Sequence, residues 1–275
     1  MEKITLSAHR GYRQMFPENT MTAFKEALKL DIDSIEMDVH MTKDYQIVVM
    51  HDGNMDRTTD TSGKICDKTV SEVRAADAGI KFGAQFKGEK VPLLEEFLSL
   101  MTTRPDIKVL LELKDYPEEM GNFAYASCEK TLDLCRRCGI WGKDRLTIVT
   151  FSTGLCAWIR ARHGDGVGLH GFWPVYIMRG WEKDNPYKYL DEVCLFNNQQ
   201  TKDGRHIPAS SPVAEKRNFE EFAAMGIKPC VYFSFNCNEQ DYKLAYEYGA
   251  KGFTCDDAYT CGKILDKIGA RKLKK

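Results

Sequence analysis

SIEMDVHMTKDYQIVVMHD, residues 34–52, reads as a strand, a tight turn and a second strand. Along the first arm apolar Ile35, Met37 and Val39 alternate with Glu36 and Asp38, and the period of two puts both carboxylates on one face. The usual rise per residue sets them about 7 Å apart, near enough for one cation to draw them together, although two acids on one face also suit a solvated strand. A parallel pairing of IEMDV (35–39) with IVVMH (47–51) would need a dozen or more connecting residues, and the chain has no room for them. The arms therefore pair as an antiparallel hairpin turning at Lys43, Asp44, Tyr45 and Gln46, with Asp44 as turn former. A four-residue turn of this kind sets Thr42 opposite Ile47 and Asp38 opposite His51, which brings a histidine back to the level of the acids; a slip of one residue would turn it to the other face.

Around the hairpin, apolar runs at 4–8, 35–39, 108–113, 145–151, 166–171, 193–197, 230–236 and 252–255 read as eight buried strands. Helical patterns lie between many of them: TMTAFKEALKL, LLEEFLSLM, YASCEKTLDLCRRCG, LCAWIRARHG, VAEKRNFEEFAAMG and EQDYKLAYEYG. Strands alternating with helices indicate a parallel sheet, and eight repeats in 275 residues favour a closed (β/α)₈ TIM barrel over an open doubly wound sheet. No linker rich in Gly, Ser or Pro divides the chain, so residues 1–275 are expected to form a single domain.

Composition removes several classes of function. The 39 Lys and Arg balance 40 Asp and Glu, leaving no net field for nucleic acid or an anionic membrane. The single basic run, Arg271 to Lys275, reads as a solvated end. No apolar stretch approaches the length of a membrane span, and the polar start MEKITLSAHR is unlike a signal peptide, so the expected location is the cytoplasm. Ten cysteines are then expected as reduced thiols. Cys135 and Cys138 form a Cys-x-x-Cys pair, but at the end of a helix, where no N-terminal dipole lowers a thiol pKa.

Barrel enzymes carry their chemistry at the C-terminal ends of the strands. His9, Arg10 and Gly11 follow the first strand; Glu112 and Lys114 sit at the end of the third. A histidine after a buried strand is as often a hydrogen-bonded core residue, whereas a carboxylate within VLLELK is costly unless a cation compensates it. Together, Glu36, Asp38 and Glu112 supply hard oxygen donors suited to one divalent cation, Mg²⁺ or Ca²⁺. His9 and His51 supply groups that titrate near neutrality, and Arg10 and Lys114 are cationic donors for phosphate. The set describes a phosphoryl-transfer site.

HRG (9–11), PENT (17–20), IEMD (35–38), TKD (42–44), VVMHD (48–52), RTTDTSG (57–63), PLLEEFL (92–98) and ELK (112–114) resemble, in order and spacing, the motif series of the glycerophosphodiester phosphodiesterase family. The likeness continues more faintly through YFSFN (232–236) and GAKGFTCDD (249–257), where Cys255 stands in place of a threonine. Asp31 and Tyr45 stand where the family often has glycine, a difference that Asp31 is expected to tolerate in a left-handed turn. The resemblance implies a distorted (β/α)₈ barrel with a small insertion, about residues 53–90, after the hairpin of the second strand. It implies metal-dependent hydrolysis of a small-molecule glycerophosphodiester to sn-glycerol 3-phosphate and an alcohol. By matching position, Glu36, Asp38 and Glu112 would bind metal, His9 and His51 would be acid and base, and Arg10 and Lys114 would hold phosphate. Glu18 and Asn19 would brace the first turn, with Asn19 or Thr20 as helix cap, and Phe233 is a possible substrate contact or a core residue.

Water or the glycerol 2-hydroxyl could be the nucleophile, and either histidine could be the acid. A lyase forming a cyclic phosphate, a non-catalytic phosphodiester-binding barrel and an unrelated sugar-phosphate barrel are the other readings; no phosphate loop near the seventh and eighth strands supports the last. Trp173, Tyr176, Trp181 and Tyr187, in the loop after the fifth strand, would either line a pocket for the alcohol or pack that loop down. His40, His163, His170 and His206 are expected at the surface or in packing.

Overall fold

The structure, a computed structural model, describes residues 4–200, 206–208, 212–234 and 237–272. The strands are β1 (Thr5–Ala8), β2 (Ser34–Met41), β3 (Ile47–Val49), β4 (Lys108–Leu113), β5 (Leu146–Val149), β6 (Gly168–Trp173), β7 (Glu192–Leu195), β8 (Asn198–Gln200), β9 (His206–Pro208), β10 (Lys228–Phe233) and β11 (Gly252–Cys255). Eight of them run parallel in the order β1-β2-β4-β5-β6-β7-β10-β11 and close where β11 pairs with β1, as in a TIM barrel. They form where the apolar runs lie because a strand enclosed between a filled barrel and a helix layer is buried on both faces. The end of the run at 230–236 lies outside the described residues beyond Ser234. β8 and β9 make a separate antiparallel ribbon.

Helices α1 (Met21–Ala27), α2 (Val70–Ala75), α3 (Leu94–Thr102), α4 (Pro117–Met120), α5 (Asn122–Arg137), α6 (Thr153–His163), α7 (Lys216–Ala224), α8 (Glu239–Tyr248) and α9 (Ala258–Lys267) follow the strands. Their starts are set by side chains that accept from orphan backbone N–H groups: Thr20 for α1, Ser152 for α6, Asn238 for α8 and Asp257 for α9. Between β3 and α3 a smaller core gathers Val48, Met50, Met55, Ile65, Val73 and Val91.

The hairpin register differs from the expected one by one residue. Val39 pairs with Val49, His40 with Val48 and Met41 with Ile47, and the Met50 N–H donates to the Asp38 carbonyl. The cause is Tyr45, whose φ of +60° places it in the left-handed region. Thr42 N–H donates to the Gln46 carbonyl, so the turn contains three residues ending in a left-handed one, and one residue fewer separates the arms. Asp31 takes no left-handed conformation; it accepts from Arg271.

Arg271 corrects the solvated-tail expectation. It is buried, with its guanidinium on Asp31 Oδ1 at 3.0 Å, on Asp33 and on the Ile4 carbonyl. The last three residues of that tail lie outside the described residues. The ten cysteines are free thiols, with Cys135 and Cys138 at the C-terminal end of α5. Among the described residues no helix is long and apolar enough to cross a membrane.

Candidate active site

A cavity of about 200 Å³ opens among the C-terminal ends of the strands. His9, Arg10, Glu36, His51, Glu112 and Lys114 line it, so six residues drawn from four separate stretches of sequence converge there. Asp38 lies fully buried beside them. Alternation along β2 directs Glu36 and Asp38 inward, while Ile35, Met37 and Val39 pack in the main core. Asp38 stands in register with Glu112 on β4, and one oxygen from each of Glu36, Asp38 and Glu112 lies within 4.8 Å of the others.

His51 arrives despite the shifted register, because β3 ends at Val49 and the chain leaves the ladder before reaching it. The turn after β1 is tight: Arg10 has φ +53°, and a Cβ on Gly11 would come within 2.8 Å of the Ala23 backbone. Only glycine allows that approach to α1. Asn19 does not cap α1; its amide donates to Asp38 Oδ2 at 2.8 Å, and Thr20 caps instead. Glu18 joins Arg10, Arg13 and Arg57.

Each histidine is braced by a carboxylate. His9 Nδ1 lies 2.5 Å from Asp256 Oδ1, and Tyr232 donates to Asp256 Oδ2 at 3.0 Å. His51 Nδ1 lies 2.6 Å from Asp52, which Arg57 grips in turn. A carboxylate at Nδ1 fixes the tautomer that leaves Nε2 as the acceptor. Burial pushes His9 down to about 4 against the pull of Asp256, and burial likewise lowers His51. Both imidazoles are therefore neutral at pH 7 and able to accept a proton. Asp256 and Tyr232 are absent from the expectations above, although both carried a signal. Asp256 follows the last strand, and Tyr232 shares the inward parity of Lys228 and Cys230. Phe233, the expected substrate contact, has the opposite parity: it is buried against Tyr242 and Phe253 and lines no part of the cavity.

The carboxylates are not equivalent. Burial would raise Asp38, but Lys114 and Arg10 overrule it and hold it well below the usual range. Burial, reinforced by the charges of Asp38 and Glu112, raises Glu36 well above its ordinary value. Lys114 Nζ lies 2.6 Å from Glu112 and 3.2 Å from Asp38, yet Asp38 Oδ1 is buried without a hydrogen bond. With all three ionised, as a bound cation would hold them, three carboxylates against Arg10 and Lys114 leave one surplus negative charge. A hard divalent cation fits this donor set, which is all oxygen and carries that surplus.

Apolar side chains complete the lining. Phe151 stacks on Phe172 at 3.6 Å, Phe172 on Phe196 at 5.5 Å, and Phe196 meets Tyr232 at 6.2 Å. Trp173, Tyr176, Trp181 and Tyr187 stay off this cavity; Tyr187 packs on Phe222. His170 is no surface residue, since it is buried in the cavity lining and reaches Glu192, beside Cys230, nearer the strand N-termini. Lys108 and Lys228 also approach Glu192, so that lower group has a positive surplus and disfavours a cation. His163 packs between Arg136 and Glu129, and the side chain of His206 lies outside the described residues.

The chain matches the family described as glycerophosphoryl diester phosphodiesterases over residues 9–260. It is 46% identical over 112 residues to a glycerophosphodiester phosphodiesterase of Caldanaerobacter subterraneus, covering 41% of this chain and 46% of that protein. It is 38% identical over 223 residues to human glycerophosphodiester phosphodiesterase 1, covering 72% of this chain and 65% of that protein. The chain thus spans about half the length of the first curated relatives it matches, 46% in each case. Among solved structures, a phosphodiesterase of Oleispira antarctica in complex with the product sn-glycerol-3-phosphate superposes with a TM-score of 0.77 at 21% identity, over 95% of this chain and 96% of that one.

Proposed function

This chain belongs to the glycerophosphoryl diester phosphodiesterase family, and from that premise we propose that it hydrolyses small-molecule glycerophosphodiesters to sn-glycerol 3-phosphate and an alcohol. In this reading residues 1–275 act as one barrel domain, and the insertion of about residues 53–90 flanks the mouth, where Asn54 and Lys64 line one cavity and Arg57 and Lys81 another. Glu36, Asp38 and Glu112 would hold one divalent cation, Mg²⁺ or Ca²⁺. When bound, such a cation polarises a phosphate oxygen and favours attack at phosphorus.

The observation that carries the reading is the pairing of two neutral, carboxylate-braced imidazoles with a carboxylate cluster of negative surplus in one cavity. One imidazole removes a proton from the attacking oxygen through Nε2, and the other returns one to the departing alkoxide. Arg10 and Lys114 turn toward the phosphate. Arg10 Nε lies 3.3 Å from Asp38 Oδ2, and the residue lines the cavity. Charge supports the cation: three ionised carboxylates with Arg10 and Lys114, a divalent cation and a phosphodiester monoanion together come to neutrality. The aromatic row from Phe151 to Tyr232 keeps water from the other side of the substrate.

The test is an assay of glycerophosphodiesters with varied head groups in Mg²⁺, Ca²⁺ or chelator, with ³¹P NMR of the product. Release of sn-glycerol 3-phosphate that stops in chelator is expected; a cyclic phosphate as final product would make the protein a lyase. His9→Ala and His51→Ala should each lower kcat by about 10² to 10⁴ while the fold is kept. Full turnover in both variants would end the acid–base assignment.

A further inference from the structure

His40 has no part in the chemistry just described, yet its contacts are unusually complete. It is the next inward position of β2 after Glu36 and Asp38, but its ring turns away from the reaction cavity into the wall of a neighbouring one of about 610 Å³, which shares His51 and Lys114 with it. Its Nδ1 lies 2.7 Å from Asp115 Oδ1 and its Nε2 lies 3.1 Å from the backbone carbonyl of His51. Both partners are acceptors, and the ring spans the distance between them. The other oxygen of Asp115 accepts from the Met41 N–H at 2.8 Å and from Ser127 Oγ at 2.7 Å, which anchors that carboxylate to β2 and to α5.

The other end of the clamp is the segment that follows β3. Residues 50–53 lie outside β3; the Met50 N–H donates to the Asp38 carbonyl, and the Gly53 carbonyl accepts from the Ile65 N–H. The ring of His51 is braced by Asp52 and Arg57, whose side chains are 30% and 45% exposed. The deep support comes through the carbonyl. A small rotation of the peptide after His51 would swing the imidazole, and proton transfer tolerates little displacement.

We infer that His40 is a positioning residue for the reaction: it ties the main chain of His51 to the buried carboxylate of Asp115 and so fixes the His51 imidazole at the cavity. The inference rests on the reading of His51 as a proton-transfer group. It has the consequence that the effect of His40 on turnover passes through His51 alone.

A double-mutant cycle tests this. His40→Leu should lower kcat on the order of 10²-fold with little change in KM, and in a His51→Ala background it should lower the residual kcat no further. A loss of equal size in both backgrounds, or an unchanged kcat in the single variant, would overturn the inference. Should His40→Leu fail to fold, His40→Asn, too short to span both partners, takes its place in the same cycle. A native protein with no turnover of glycerophosphodiesters would sink the proposed function, and backbone ¹⁵N order parameters would then decide the clamp. Those of residues 51–53 fall in the His40 variant while the helices are unchanged if the clamp exists, and stay at native values if it does not.

Discussion

His9 shows how much of this site is a matter of side-chain electrostatics. Its folded pKa of about 4 lies below the value of 6.5 in an unfolded chain, because burial disfavours the imidazolium more than Asp256 favours it. Between those values the unfolded chain binds the proton and the folded one does not, so stability is lost as pH falls from about 6.5 toward 4. At about 1.4 kcal/mol per pKa unit, His9 alone accounts for roughly 3 kcal/mol of that loss. Urea midpoints of the native protein and of His9→Gln between pH 7 and 4.5 measure it. The native curve should fall more steeply, and parallel curves would show that His9 is not held neutral. Asp256 acts on the same ring from the other side. Asp256→Asn should cost at least tenfold in kcat, since an amide at that place no longer fixes the tautomer, and an unchanged kcat would remove Asp256 from the catalytic apparatus.

At the scale of elements, the hairpin is where sequence and structure part. Tyr45 adopts φ +60°, and a left-handed conformation costs a residue with a Cβ on the order of 1 kcal/mol. The Tyr45 side chain is 57% exposed and meets Phe123 only at a ring distance of 6.4 Å, so little packing offsets that cost. Tyr45→Gly should therefore raise stability by about 0.5–1 kcal/mol, read as a higher urea midpoint with an unchanged slope; a lower midpoint would show that the contact with Phe123 outweighs the strain. The same residue explains what the sequence withheld. The strands are legible because burial on both faces makes them continuous apolar runs, and Glu36, Asp38 and Glu112 are legible because acids inside such runs are rare. Register is not written that way: it follows from the conformation of one turn residue, and an exposed tyrosine announces no left-handed turn. Phe233 failed for a related reason, since the parity of β10 is set by its neighbours in the barrel, and Tyr232 is the inward residue. The sequence shows no partner for His40, because Asp115 lies 75 positions away.

Over the whole molecule, charge inside the barrel and closure of its wall set stability. The upper tier, Glu36, Asp38 and Glu112 with Arg10 and Lys114, carries a negative surplus when all three acids are ionised, and the lower group, Lys108 and Lys228 around Glu192, a positive one. A divalent cation that binds only the folded upper tier should raise the melting temperature of chelator-treated protein, by about 2.7 kcal/mol of stability at a hundredfold excess over Kd, and Glu112→Gln should diminish the shift. No shift with Mg²⁺ or Ca²⁺ would count against the carboxylates as a cation site. Closure has its weak point beside β1, which pairs with β11 over four residues but with β2 over two, Ser7 with Ser34 and Ala8 with Ile35. Arg271, arriving after α9, spans this seam: it donates to the Ile4 carbonyl at 3.2 Å, to Asp31 Oδ1 at 3.0 Å and to Asp33, whose carboxylate also accepts from the Leu6 N–H at 3.0 Å. Arg271 thereby supplies, with one planar fork, bonds that the short ladder lacks. Taking the buried cation from two partly buried carboxylates is costly, so Arg271→Met should lower stability by about 3 kcal/mol, whereas Arg271→Lys should recover only part because an ammonium cannot reach carbonyl and carboxylates together. Chemical denaturation of the three proteins gives the order Arg, Lys, Met; a methionine variant as stable as the native chain would show that the barrel closes without Arg271.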